Sequence, residues 1–314
     1  MSFSADTKNE LARIEPERKC CALAELAGFI RVCGTLKLSG GGKIDLKLST
    51  EHAAVARMYL KKIKDYFDMG AELQIEQSAL SRRGHMYEIV ISSESGAQQI
   101  LREIGFLRVK EGCDYFAVDV PEALVKKKCC KKAYLRGVFL GAGTISDPEK
   151  SYHLDLICSD EVLANDLRKL MGAFGLKARV TARQKKYVVY LKEAEQVADF
   201  LNALGAHRHL LEFENVRVVK EVRNQTNRIV NCENANMDKT VNTAARQLAS
   251  IQKIERLRGL DTLPPKLRDA ARLRLEHPEA SLEELAGLLD PPLKKSGMNH
   301  RLRKIDELAE ALQE

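Results

Sequence analysis

The stretch that decides the fold is CALAELAGFIRVCGTL, Cys21–Leu36. Its apolar residues recur at near-helical spacing until Gly34 and Thr35, where a short alternating segment begins, so it reads as a buried helix whose last turn feeds a strand. Sliding the chain by 109 positions lays KCCALAELAGFIRVCGTL over KCCKKAYLRGVFLGAGTI without a gap. Cys20, Cys21, Gly28, Gly34 and Thr35 fall on Cys129, Cys130, Gly137, Gly143 and Thr144. The downstream segments are duplicated too: a strand at Lys43–Ser49 or His153–Ser159, a helical run opening at STE or SDE, two more strands and a helix. Self-similarity at a fixed offset marks a repeated structural unit, so residues 1–205 hold two copies, about 1–110 and 120–205.

Gly28 and Gly137 occupy the same place in the two helices, and without Cβ atoms two helix backbones can approach closely there. LAGFIRVCG and LRGVFLGAG resemble the two LAGLIDADG helices of single-chain homing endonucleases. The resemblance implies an α+β fold in which each copy runs αββαββα and the two helices pack along a pseudo-two-fold axis. In that family an acidic residue precedes the last glycine of each motif, and the pair holds the divalent ions that cut DNA. Here Cys33 and Ala142 stand at those positions. Hard cations want carboxylate oxygens, which a thiol and a methyl group do not supply. Arg31 and Leu140 fill the other acidic position, and Asp147 lies past the helix. The expectation is a scaffold with no catalytic residues, metal or cofactor, and hence not an enzyme.

The 314 residues contain no apolar run approaching the ~20 needed to span a bilayer, and MSFSADTKNELARIE is not a signal peptide, so a cytoplasmic protein is expected. A formal charge of +7 permits a polyanionic partner without requiring one. The eight cysteines show no C-x-x-C spacing. One of each adjacent pair is expected to pack as a small apolar side chain near the pseudo-axis. The symmetry leaves open a zinc site built from Cys20, Cys21, Cys129 and Cys130, but the two helix N-termini need not meet, and packing without a metal is the favoured reading.

Basic residues cluster at Lys126, Lys127, Lys128, Lys131, Lys132 and Arg136, and again at Lys177, Arg179, Arg183, Lys185 and Lys186 on a predicted hairpin. Either cluster is a phosphate contact or an ordinary solvated surface, with Lys127, Lys131 and Lys185 the candidates for secondary nucleic-acid contacts. Asp45 and Asp155 alternate with apolar strand residues, face outward and work against DNA binding by the sheets.

Beyond Gly205 the pattern turns helical. Residues 206–236 read as a linker with a helix near Glu212–Arg223. A second helix, from about Met237 to Leu257, comes after the polar stretch Asn224–Asn236 and carries Lys239, Arg246 and Lys253 as further candidate contacts. Residues 237–314 read as an all-α domain. Pro264 and Pro265 open a helix that His277-Pro278 stops. Ser281 and Glu284 form a capping box for SLEELAGLL, which Pro291-Pro292 closes. Ser296 can cap a last helix whose Leu302, Ile305, Leu308 and Leu312 face inward. That is a helix-turn-helix. Its last helix opens with Lys294, Lys295, Arg301, Arg303 and Lys304 among Ser296, Asn299 and His300, with no acid between them. Asn299, His300 and Arg301 are the expected base-edge readers, and Lys294, Lys295, Arg303 and Lys304 the expected phosphate contacts.

Together with the opening MSFSADTKNELA, the CC pairs, NCENANMDKTV and PPLKKSGMNHRLRKI, this architecture resembles the WhiA family of bacterial regulators over essentially the whole chain. The resemblance implies a nucleoid-associated protein that binds double-stranded DNA, regulates sporulation in some bacteria and supports cell division and chromosome segregation in others. It also implies regulatory or cell-division proteins as further partners, and no membrane. Cleavage-dead LAGLIDADG units also resemble intron maturases, which makes an RNA-binding maturase-like protein the alternative. With 5% aromatics, no Trp and no aromatic in the last helix, the chain lacks the stacking platforms common in RNA readers.

Overall fold

A computed structural model describes residues 2–39, 42–77 and 84–312. The chain divides into two compact units, Met1–Lys220 and Glu221–Glu314. The first opens with α1 (Phe3–Leu11), whose N-terminal amide at Ala5 donates to the Ser2 hydroxyl. Next come α2 (Lys19–Cys33), β1 (Gly34–Ser39), β2 (Lys43–Thr50), α3 (Ala53–Phe67), β3 (Glu72–Gln77), β4 (His85–Ile91) and α4 (Ala97–Glu103). A hairpin of β5 (Leu107–Lys110) and β6 (Cys113–Phe116) separates the copies. Glu111 and Gly112, both at positive φ, make its two-residue turn. The second copy repeats the order with α5 (Lys128–Ala142), β7 (Gly143–Ile145), β8 (Leu154–Cys158), α6 (Glu161–Gly172), β9 (Arg179–Arg183), β10 (Lys186–Leu191) and α7 (Ala194–Leu204). Both copies are therefore αββαββα, and the sheets share one antiparallel topology, β1-β2-β4-β3 and β7-β8-β10-β9.

Period-two alternation in KIDLKLST puts Ile44, Leu46 and Leu48 into the core and leaves Lys43, Asp45 and Lys47 on the open face. The centre of the core is the α2–α5 pair. A Cβ built at Gly28 would stand 2.3 Å from the Tyr134 carbonyl oxygen, and one at Gly137 only 2.1 Å from that of Glu25. Glycine is needed at both crossing points because the neighbour is backbone, which cannot yield as a side-chain end can. Beside the crossing, the fully buried Glu25 carboxylate accepts from Arg136 Nη2 at 2.6 Å and Nε at 2.9 Å, and from Lys62 Nζ at 2.7 Å. Two cations on one buried carboxylate lock α2 to α5 and α3.

The second unit is entirely helical among the described residues. Its first part belongs to α8 (His207–Arg258), one continuous helix of 52 residues that crosses the unit boundary. The break expected at Asn224–Asn236 does not occur. That stretch contains no Gly or Pro, and its Asn and Thr residues disfavour helix by at most about 0.7 kcal/mol each. Thr226 and Thr240 satisfy their hydroxyls on the carbonyls of Val222 and Asn236 instead. After α8 come α9 (Pro265–Glu276), α10 (Leu282–Gly287) and α11 (Lys295–Glu310), packed around Ile251, Ile254, Leu267, Leu285, Met298 and Leu302. Among the described residues no helix is long and apolar enough to cross a membrane.

Candidate nucleic-acid interface

The turn between α10 and α11 is fixed by local chemistry. The Ser281 hydroxyl accepts from Glu284 N at 3.3 Å while the Glu284 carboxylate accepts from Ser281 N at 2.7 Å, the reciprocal pair that starts α10. Those bonds hold the Glu284 carboxyl below its usual value. Leu293 N then donates to Ala286 O, closing the turn. The last helix begins earlier than its sequence implies: Lys294 is the N-cap, without a side-chain cap, and Ser296 lies inside the first turn rather than capping it.

Met298, Leu302, Ile305 and Ala309 bury one side of α11. At helical periodicity this leaves Lys295, Ser296, Asn299, His300, Arg303 and Lys304 exposed on the other, with Lys294 exposed just before. An Asn side chain there can offer the donor–acceptor pair that matches adenine and an Arg the double-donor fork that matches guanine in a major groove, and lysine ammonium groups can offer charge to phosphates. Arg303 is tethered by Glu307 at 3.3 Å one turn on. Arg301 departs from the expected arrangement. It is half-buried, and its Nη1 donates to the Lys266 carbonyl on α9 at 3.3 Å, turned away from the exposed face. Leu308, expected inward, is 41% exposed because its place on the helix lies off the packed stripe; Leu312 does pack against the core.

The secondary candidates separate. Arg246 pairs with Asp306 at 3.4 Å and Lys253 Nζ donates to Leu312 O at 2.9 Å, so both tie α8 to the last helix and its end. Lys239, Lys127 and Lys185 are exposed, and Lys131 is half-buried. Sequence reasoning missed Arg274, buried on α9. It donates to Gln247 Oε1 at 3.2 Å and to the carbonyls of His277, Pro278 and Ala280, binding α8 to the α9–α10 turn. A lone Arg in an Arg-rich helix carried no signal for this.

Cys33 and Ala142, the residues expected to replace the acids of the LAGLIDADG motif, end α2 and α5. The Cys33 thiol donates to Phe29 O at 2.9 Å and burial pushes it well above the usual thiol range. The unanticipated α1 inserts Lys8 here, 6% exposed, its ammonium 5.8 Å from the Phe139 ring centroid. Burial pulls Lys8 down to about 8 against the opposing influence of Cys33 and Glu51. Arg31 is engaged elsewhere, stacked 4.3 Å from the Phe106 ring and donating to Ala117 O and Asp119 O. Asp147 accepts from Glu149 N within its own turn. On the sheets' open faces, Asp45 accepts from Ser93 N at 2.8 Å and Asp155 lies 2.8 Å from His153 Nε2, so each outward acid has a local partner.

The cysteines answer a question that the sequence left open. The N-termini of α2 and α5 do meet, bringing the Sγ atoms of Cys20, Cys21 and Cys130 within 4.8 Å of one another. Cys21 and Cys130 are the buried member of each pair, as the packing argument requires. Burial and then the neighbouring thiols push Cys21 up to about 12 and Cys130 up to about 11.

Comparison with known proteins gives three family matches: "WhiA N-terminal LAGLIDADG-like domain" over residues 19–107, "WhiA LAGLIDADG-like domain" over 131–223, and "WhiA C-terminal HTH domain" over 226–309. The chain is 47% identical over 310 residues to the "Probable cell division protein WhiA" of Alkaliphilus metalliredigens (strain QYMF), covering 99% of this chain and 98% of that protein. It is 48% identical over 312 residues to the protein of the same description from Clostridium perfringens (strain 13 / Type A), again covering 99% and 98%. Among solved structures, full-length DUF199/WhiA from Thermatoga maritima is similar over 100% of both chains, at 25% identity and a TM-score of 0.58.

Proposed function

The chain belongs to the WhiA family, and from that premise we propose that it is a sequence-specific duplex-DNA-binding regulator, nucleoid-associated, acting in cell division and without nuclease activity. The observation that carries the reading is the exposed face of α11. Ser296, Asn299, His300 and Arg303 present base-reading chemistry between flanking lysines, and the buried side of the same helix is fixed against α9 and α10. The cell-division context rests on the names of the relatives. The lack of cleavage rests on Cys33 and Ala142, which offer no carboxylate, and on the buried Lys8 ammonium, whose positive charge opposes a divalent cation in the same place.

The test is competition with full-length protein. At one fixed salt concentration, fragmented genomic duplex should displace labelled duplex at least ~10-fold better than structured RNA of equal length, given a base-reading helix. Asn299→Ala/Arg303→Ala should erase selection of preferred fragments. Incubation with magnesium or manganese should leave plasmid intact. Preference for RNA, or selection unchanged in the double variant, overturns the DNA reading; protein-dependent double-strand cuts overturn the absence of nuclease.

A further inference from the structure

Two observations converge at the start of the central helix pair. The first is the thiol cluster itself: Cys20, Cys21 and Cys130 have Sγ atoms within 4.8 Å of one another, and half-buried Cys129 directly precedes Cys130. A tetrahedral thiolate centre with ion–sulfur bonds of about 2.3 Å needs sulfur atoms about 3.8 Å apart, so contraction by about an ångström brings these three to ligand spacing, and Cys129, next to Cys130 in the first turn of α5, is the thiol left to supply the fourth bond. The second is the field around it. Arg18 and Lys127 are the N-caps of α2 and α5, and neither helix has a side-chain cap or an acid in its first turn. Both helix N-termini thus turn their partial positive charge on the thiols, and neither first turn carries a carboxylate of its own to neutralise it. Four neutral thiols make little use of that potential, whereas four thiolates around one divalent ion carry a net double negative charge that matches it.

We propose that Cys20, Cys21, Cys129 and Cys130 hold one zinc ion, a structural site that staples the first turn of α2 to that of α5 across the pseudo-two-fold axis. Each repeat contributes one adjacent pair, so the site exists only because the unit is duplicated. The ligand set decides the ion. Sulfur alone selects a soft d10 cation and rejects the magnesium or manganese that cleavage chemistry would use. It also lies at the opposite end of the helix pair from Cys33 and Ala142. Binding displaces the thiol protons to solvent, and Cys21 and Cys130 close the inner side while half-buried Cys20 and Cys129 leave a path for entry.

Full-length protein purified under reducing conditions without chelator should carry about one zinc per chain. After removal of zinc, titration with Co2+ should develop thiolate charge-transfer absorption and the intense visible bands of tetrahedral Co2+, both erased by added zinc. Cys20→Ser and Cys129→Ser alter the half-buried pair members and should each weaken Co2+ binding by roughly tenfold or more, with circular dichroism unchanged. Cys113→Ser, on the exposed β5–β6 hairpin, should bind as the unaltered chain does. Removing zinc should lower the thermal midpoint of the first unit. The proposal fails if the unaltered chain carries no zinc and gives no tetrahedral Co2+ spectrum. It fails equally if the four thiols are found paired in disulfides, or if Cys20→Ser/Cys129→Ser retains the full spectrum.

Discussion

Gly28 and Tyr134 meet backbone to backbone: a Cβ on Gly28 would stand 2.3 Å from the Tyr134 carbonyl oxygen. The pseudo-symmetric contact, Gly137 on Glu25, is closer still at 2.1 Å. Gly28→Ala and Gly137→Ala should therefore each force the helices apart and destabilise the first unit by about 1–3 kcal/mol, or more where the shift also disturbs the ion cluster beside the crossing. Denaturant unfolding, with the transitions of the two units followed separately, measures this; wild-type midpoints for both variants would remove the close crossing as a constraint.

Glu25 is the hub of that cluster. Glu25→Gln leaves Arg136 and Lys62 buried without their counter-charge and should cost about 3–5 kcal/mol, as breaking a buried pair does. Replacing all three together by Leu, Met and Met should cost less than Glu25→Gln alone, since no uncompensated charge is then buried. If the triple replacement is the worse of the two, the cluster contributes net stability.

Acid should attack the first unit through His52. Burial, and then the Lys8 ammonium, pull His52 down from 6.5 to about 4. Between those values the unfolded chain binds the proton and the fold does not, so stability is full above pH 6.5 and is lost as pH falls toward about 4. His52→Gln, which cannot take up the proton, should flatten that part of the stability–pH curve. Glu10 adds a separate loss below its ordinary 4.5: although burial opposes it, bonds from His209 and from the Arg208 and His209 amides hold the carboxyl low. An unchanged slope between pH 6.5 and 5 in His52→Gln would show that another group governs the loss.

What the sequence disclosed, and what it withheld, depends on how far each feature is set by residues near it in the chain. The duplicated helices, the Ile44–Leu46–Leu48 alternation and the Ser281–Glu284 cap are set by spacings of a few residues, and each is where its spacing places it. Asn224–Asn236 misled because weak helix propensity is not a stop signal when no Gly or Pro is present. Lys8, Glu25 and Arg274 carried no local sign because their partners lie on other elements. The meeting of Cys20, Cys21 and Cys130 is of the same kind: the repeat was legible, but the distance between the two helix starts was a property of the packing.

The division of labour on α11 is where chain order and geometry part most usefully. Sequence order groups Arg301 with Asn299 and His300, but helical rotation places Arg303 between them on the exposed face and sends Arg301 to the Lys266 carbonyl. Arg303→Ala should cost about 1–3 kcal/mol on a preferred duplex and relax discrimination at one base pair, the signature of a lost bidentate guanine contact. Its Glu307 tether is exposed on both sides and offers little resistance to redirection toward a base. Lys295→Ala should weaken preferred and scrambled duplexes alike and reduce the salt slope by about one, since one phosphate contact fewer releases one counterion fewer. Arg301→Ala should leave discrimination intact. Affinities of the three variants on both duplexes over a salt series decide the matter: relaxed discrimination in Arg301→Ala with unaltered discrimination in Arg303→Ala would mean that α11 turns a different face to the groove.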